Sequence, residues 1–186
     1  MKKFFTLFIL LALPLICFAE HATFKGIPIN GTITSFQKAL GKEGFTLADF
    51  PENAQNSGVK CFQGKFLNAN CYLYVLYDPT TKTVYQARVT YPVRSMESAF
   101  NVFPQVVRGV EDQYIVELRA SDYNGYPSKE GKIIELDHVI PGRTSLFDNE
   151  IEIGWMNIWI HDIEGQYFVV IDILDKANAS KFDAYE

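Results

Sequence analysis

The sequence predicts an α+β fold: two αβββ halves forming one antiparallel sheet, with helices packed on one face. Three observations carry this. Runs rich in aromatic and β-branched residues alternate with short polar turns, the pattern of an antiparallel meander. Two segments hold apolar residues at helical spacing. Each of these segments stands ahead of a set of strands, so a helix followed by three strands occurs twice, over 32–91 and over 95–174. The repeat is one of elements, without a residue-level repeat beneath it.

An export leader is expected at 1–19. Lys2 and Lys3 precede an apolar run over 4–18 that only Thr6 and Pro14 interrupt. Cys17-Phe18-Ala19 then places small residues at the two positions a signal peptidase reads, so the cut is expected between Ala19 and Glu20. The run is shorter than the roughly 20 apolar residues of a membrane span. Ile16, directly before Cys17, is too large for a lipoprotein acylation motif. The expected destination is the periplasm or the extracellular space, with no stable membrane insertion after cleavage.

Removing 19 of the 186 residues leaves 167, enough for a single α+β domain over 20–186 with pseudo-halves at about 20–92 and 93–176. The leader takes two lysines with it, so the formal net charge moves from −5 to −7. An acidic chain without a Lys/Arg cluster repels phosphate backbones and anionic bilayers, which argues against nucleic acid as a partner.

The elements follow in order. Residues 23–29 read as a first strand, with Pro28 marking an edge or an end. Thr32 caps a helix over 32–44 whose Ile33, Phe36 and Leu40 share a face, and Gly44 suits its end. A polar loop at 49–58 leads into strands at 59–66, 71–77 and 83–91. Ser95 caps a second helix over 95–115, which Pro104 should kink or split. A loop at 121–131, a strand at 132–139 and a loop at 141–149 come next. Strands at 150–160 and 166–174 form a closing hairpin, and the tail from 176 is expected to fray.

Chemical motifs are sparse. The sequence holds no glycine-rich phosphate loop, no G-x-S-x-G elbow and no H-E-x-x-H. His21, His138 and His161 lack metal-ligand spacing, so no metal, no cofactor and no catalytic residue is assigned. Cys61 and Cys71 remain in the mature chain and leave two readings open: a disulfide in an oxidising compartment, or two buried thiols. A turn centred on 67–70 would set Cys71 opposite Phe66 and Cys61 opposite Leu76, which is poor geometry for a bridge. Glu150 and Glu152 share one strand side, the usual wet face and also the raw material of a glycosidase pair.

The closing hairpin carries the least routine feature. Trp155, Asn157 and Trp159 project to one side of a strand, and Met156, Ile158 and Ile160 to the other. One reading is a central strand buried on both faces. The other is an indole platform beside an amide, able to stack a sugar ring or anchor a protein.

The segment Phe24-Lys25-Gly26-Ile27-Pro28-Ile29-Asn30-Gly31-Thr32, followed by Phe36, Leu40 and Gly44-Phe45, resembles small uncharacterised secreted proteins of Bacteroidales gut bacteria with an F-x-G-I-P-I-x-G start. Val169, Ile171, Ile173, Asp175 and Asn178 resemble the last strand of that group. The resemblance implies an envelope or secreted location and brings no catalytic residues. The tandem element order also resembles β-lactamase-inhibitor-like proteins, at the level of fold. Together these readings lead to an exported non-enzymatic protein that binds an unknown protein or glycan. A small secreted hydrolase and a structural envelope component are the alternatives.

Overall fold

The computed structural model describes residues 21–50, 57–114, 143–148 and 151–179. The expected leader, the loop at 121–131, the strand at 132–139, His138 and Glu150 lie outside the described residues. The chain begins with β1 (Thr23–Phe24), β2 (Ile27–Pro28), α1 (Ile33–Lys42) and β3 (Thr46–Leu47). A meander of β4 (Val59–Phe66), β5 (Ala69–Tyr77) and β6 (Val84–Val93) leads to α2 (Met96–Tyr114). Then come β7 (Arg143–Asp148), β8 (Ile151–Ile163), β9 (Gln166–Asp175) and a short α3 (Lys176–Ala179). Seven strands make one sheet in the order β3-β4-β5-β6-β9-β8-β7, and every neighbouring pair is antiparallel. The fold is therefore α+β, built on one large antiparallel sheet.

Local chemistry explains most boundaries. Thr32 caps α1 by accepting the Ser35 amide through its hydroxyl, and Gly44 sits just past the helix at φ 82°, where a side chain would be strained. Ile33, Phe36 and Leu40 are the buried stripe of α1. Between β4 and β5, Leu67 and Asn68 both adopt positive φ (50° and 62°), a two-residue turn whose twist suits a hairpin.

That turn sets the partners of the cysteines. It is two residues shorter than the expected centre at 67–70, so Cys71 pairs with Gly64 and Cys61 pairs with Tyr74. Cys71 shares the face of Leu73 and joins the core, while Cys61 points to the other face. Both thiols are buried and free, and the disulfide reading is corrected: the sheet itself stands between them.

Other expectations change too. The first strand is a small hairpin, because Lys25 and Gly26 take φ of 51° and 73° and turn the chain. Pro104 does not split α2, whose buried Phe103, Val106 and Val107 are held against the sheet. The stretch read as a loop at 141–149 contains β7, paired along β8 from Arg143↔Asn157 to Asp148↔Ile151. The start of the expected tail, Lys176–Ala179, is helical, with Asn178 and Ala179 buried, and the rest of it lies outside the described residues. No described helix is long and apolar enough to cross a membrane.

The core lies on one side of the sheet. Phe62, Leu73, Val89, Ile171 and Ile158 run across β4, β5, β6, β9 and β8 as one row of partners. Val75, Ala87, Ile173 and Met156 form the next row. Helix residues Phe36, Leu40, Ala99, Phe103 and Val110 belong to the same cluster.

One buried carboxylate ties the two ends of the described chain together. Asp175, fully buried, accepts the Ala22 amide at 3.0 Å and the Asn178 amide at 2.9 Å, and pairs with His21 Nδ1 at 2.9 Å. Asn178 in turn donates its side-chain amide to the carbonyls of Ile29 and Val84. The crossing needs Gly154, where a Cβ would collide with the Leu174 carbonyl and the Ala22 side chain.

Asp175→Ala leaves two buried backbone donors unpaired, and urea unfolding should show a loss of about 1–3 kcal/mol. Burial pushes the Asp175 carboxyl above its ordinary value, so the native state holds that proton more tightly than the unfolded chain does. Its contribution is fullest below the ordinary carboxylate range and fades as pH rises through the raised value. The stability gap between wild type and variant should therefore widen as pH is lowered toward 4; a gap that narrows contradicts this role.

Candidate functional site

The sheet face away from the core gathers the unusual residues. Strand alternation sends Tyr72, Tyr74 and Leu76 of β5 to this side, and the pairing continues them in three rows. Tyr72 leads through Thr90 and Val170 to Trp159. Tyr74 leads through Arg88 and Asp172 to Asn157. Leu76 leads through Gln86 and Leu174 to Trp155. The result is a trough with phenol rings on β5, indoles on β8 and a polar stripe on β6 between them. Three strand spacings set the two walls about 14 Å apart.

Trp155, Asn157 and Trp159 thus stand together on one side of β8, as the alternation predicts, and all three are half-buried. Met156 and Ile158 behind them are fully buried in the core. The strand is dry on its core side and only partly covered on the other.

Each indole has its own cation, and each cation its own carboxylate. Arg88 lies 5.6 Å from the centre of the Trp159 ring. Its Nε and Nη2 donate to the two oxygens of Asp172 at 2.7 and 2.8 Å, a bidentate pair. Asp172 is 4 % exposed, and its hydrogen bonds hold the guanidinium above its ordinary pKa. Lys176 lies 6.0 Å from the centre of the Trp155 ring and donates to Glu152. Glu152 also accepts from the Ser145 hydroxyl and from the Trp155 side chain. A bulge makes this possible: Leu146 pairs with Gly154 but Phe147 with Glu152, so Ile153 is skipped and Glu152 shifts toward the Trp155 side. Two side chains held this way lose little further freedom when something binds against them.

On the opposite wall, Phe50 packs edge-on to Tyr72 and Tyr74, with ring centres 5.6 and 6.4 Å apart. A cleft of about 470 Å³ opens in the trough, lined among others by Tyr74, Arg88, Thr90, Trp159, His161 and Phe168. Its size falls in the range of small-ligand sites. A larger cleft of about 670 Å³ lies at the β3–β4 edge, lined mainly by exposed polar residues such as Glu43, Thr46, Gln63 and Lys65. Cys71 borders it, but burial pushes that thiol up to about 11, so it stays protonated and a poor nucleophile. The aromatic trough is the better candidate.

Strand alternation in the sequence singles out the β8 residues and does not reach the rest of the trough. Gln86, Arg88 and Thr90 alternate with Ala87, Val89 and Tyr91 and look like an ordinary wet face. Only the β6–β9 pairing sets Arg88 opposite Asp172 and sinks its polar neighbours between aromatic walls. Comparison with models of known protein families, with curated proteins and with solved structures gave no match.

Glu152 is held below the ordinary carboxylate value, first by Lys176 and then by Ser145. A depressed folded pKa means its contribution is complete above the unfolded value and is lost as pH falls through the lower one. In a Trp159→Phe variant, acid titration should therefore change Trp155 fluorescence with a midpoint below 4.5, the unperturbed glutamate value. A midpoint at or above that value would show that the carboxylate is not engaged by Lys176 in solution.

Proposed function

We propose that this chain is an exported, non-enzymatic binding protein whose ligand, a glycan or a protein, lies across the open face of its sheet. The observation that carries the reading is the placement of both tryptophans of the chain on one side of β8, each braced by a cation that a carboxylate holds. An aromatic pair fixed in this way is a pre-organised contact surface, and such residues dominate binding energy where they are found. The leader pattern at 1–19 supports export, to the periplasm or beyond the cell. We further propose that the helix-then-strands order of α1 with β4–β6 and α2 with β7–β9 reflects two αβββ halves, which meet where β6 pairs with β9. In that arrangement the trough straddles the joint between them.

The mature chain, immobilised and exposed to purified oligosaccharides and to the soluble proteins of its native envelope, tests the reading. Binding of the ligand so found should weaken about tenfold or more in a Trp155→Ala/Trp159→Ala variant that circular dichroism shows to be folded. A folded double variant that binds equally well removes this face from the proposal.

A further inference from the structure

Two of the three polar side chains in the β6 stripe have no hydrogen-bond partner among the described residues. Thr90 is 9 % exposed and borders the cleft, and its hydroxyl has no hydrogen-bond partner among the described residues. Gln86, 6 % exposed, lies on the same strand side, and its amide also lacks a partner among the described residues. Between them, Arg88 uses Nε and Nη2 on Asp172, which leaves the Nη1 donors outside that pair. Buried polar groups are normally paired, so Thr90 at the cleft and Gln86 on the same strand side, one on each side of Arg88, mark a place where a ligand supplies the partners.

Charge narrows the class of ligand. Arg88 is neutralised by Asp172 and Lys176 by Glu152, so neither cation is left to draw an anion into the trough. The floor is the middle of a sheet, whose backbone groups are already paired in the β5–β6 and β6–β9 ladders. An extended peptide therefore cannot add itself as a strand here. What fits is an uncharged molecule with many hydroxyls along its edges and apolar C–H surfaces on its faces. Resting on the reading of this face as the binding surface, we propose that the trough holds a neutral saccharide chain. Its hydroxyls pair with Arg88 Nη1, the Gln86 amide and the Thr90 hydroxyl, and its ring faces lie on Trp159 and Tyr74. The stripe from Gln86 to Thr90 spans about 13 Å, long enough to engage more than one ring.

Tryptophan emission tests this directly, because both tryptophans of the chain border the trough. The mature protein is titrated with neutral gluco-, manno-, xylo- and N-acetylchito-oligosaccharides, with uronate oligosaccharides and with a set of unstructured peptides. A saturable change with at least one neutral saccharide is expected, little altered by about 0.5 M salt. The near-isosteric Thr90→Val and the Gln86→Leu variant should each weaken it about three- to tenfold, with melting temperatures unchanged or raised. The proposal is overturned if no neutral saccharide responds up to about 10 mM. It is equally overturned if only uronates respond and salt abolishes the signal, or if both variants bind as tightly as wild type. A saturable response to peptides alone sinks the saccharide while leaving the binding face standing. Saccharide binding that survives loss of both indoles sinks the face itself.

Discussion

Arg88 and Asp172 sit directly opposite each other in β6 and β9, where the first block of strands meets the last. Burying the Asp172 carboxylate is expensive, and bidentate donation from the half-buried Arg88 is what makes it tolerable. Its value lies less in net stability than in register. A one-residue slip between β6 and β9 would turn Asp172 into the core and break every cross-strand row. The same pair lays the guanidinium against Trp159, so the joint of the sheet and the floor of the trough are one interaction.

The second carboxylate, Asp175, works on the other face with a similar economy of parts. Leu174 points into the trough, Asp175 into the buried N-terminal crossing, and Lys176 opens the short α3. Fixing Asp175 with the amides of Ala22 and Asn178 fixes where β9 ends. Lys176, the next residue, is thereby placed within reach of Glu152 and Trp155. The two indoles are thus held by consequences of strand order and strand ending, and neither depends on a loop for its position.

Local features of the architecture were legible in the sequence. Alternation placed Trp155, Asn157 and Trp159 on one side of β8, and the Thr32 cap and Gly44 end of α1 follow from residue type alone. Departures arose where a few backbone angles or a distant partner decide. Two positive-φ residues in the β4–β5 turn moved the register by two residues, which changed the partners of Cys61 and Cys71 while leaving them on the opposite faces that strand alternation gives them. Burial of Phe103, Val106 and Val107 held α2 together through Pro104. The polar stripe was invisible because Gln86, Arg88 and Thr90 take their meaning from strands far away in sequence: Asp172 is 84 residues from its partner. Long-range pairing of this kind leaves no periodic mark on either strand.

Nuclear magnetic resonance can read the two faces of the sheet separately. The chain has two indole N–H groups, and the Arg88 Nε–H bonded to Asp172 provides a third probe at the floor of the trough. With the tightest ligand from the emission screen, titration should shift both indole signals and the Arg88 Nε signal together. The amides of α1, of Glu43 to Thr46 and of Gln63 to Lys65, which border the other cleft, should stay in place. Shifts confined to those amides, with the indole signals unmoved, would place the ligand elsewhere and contradict the account.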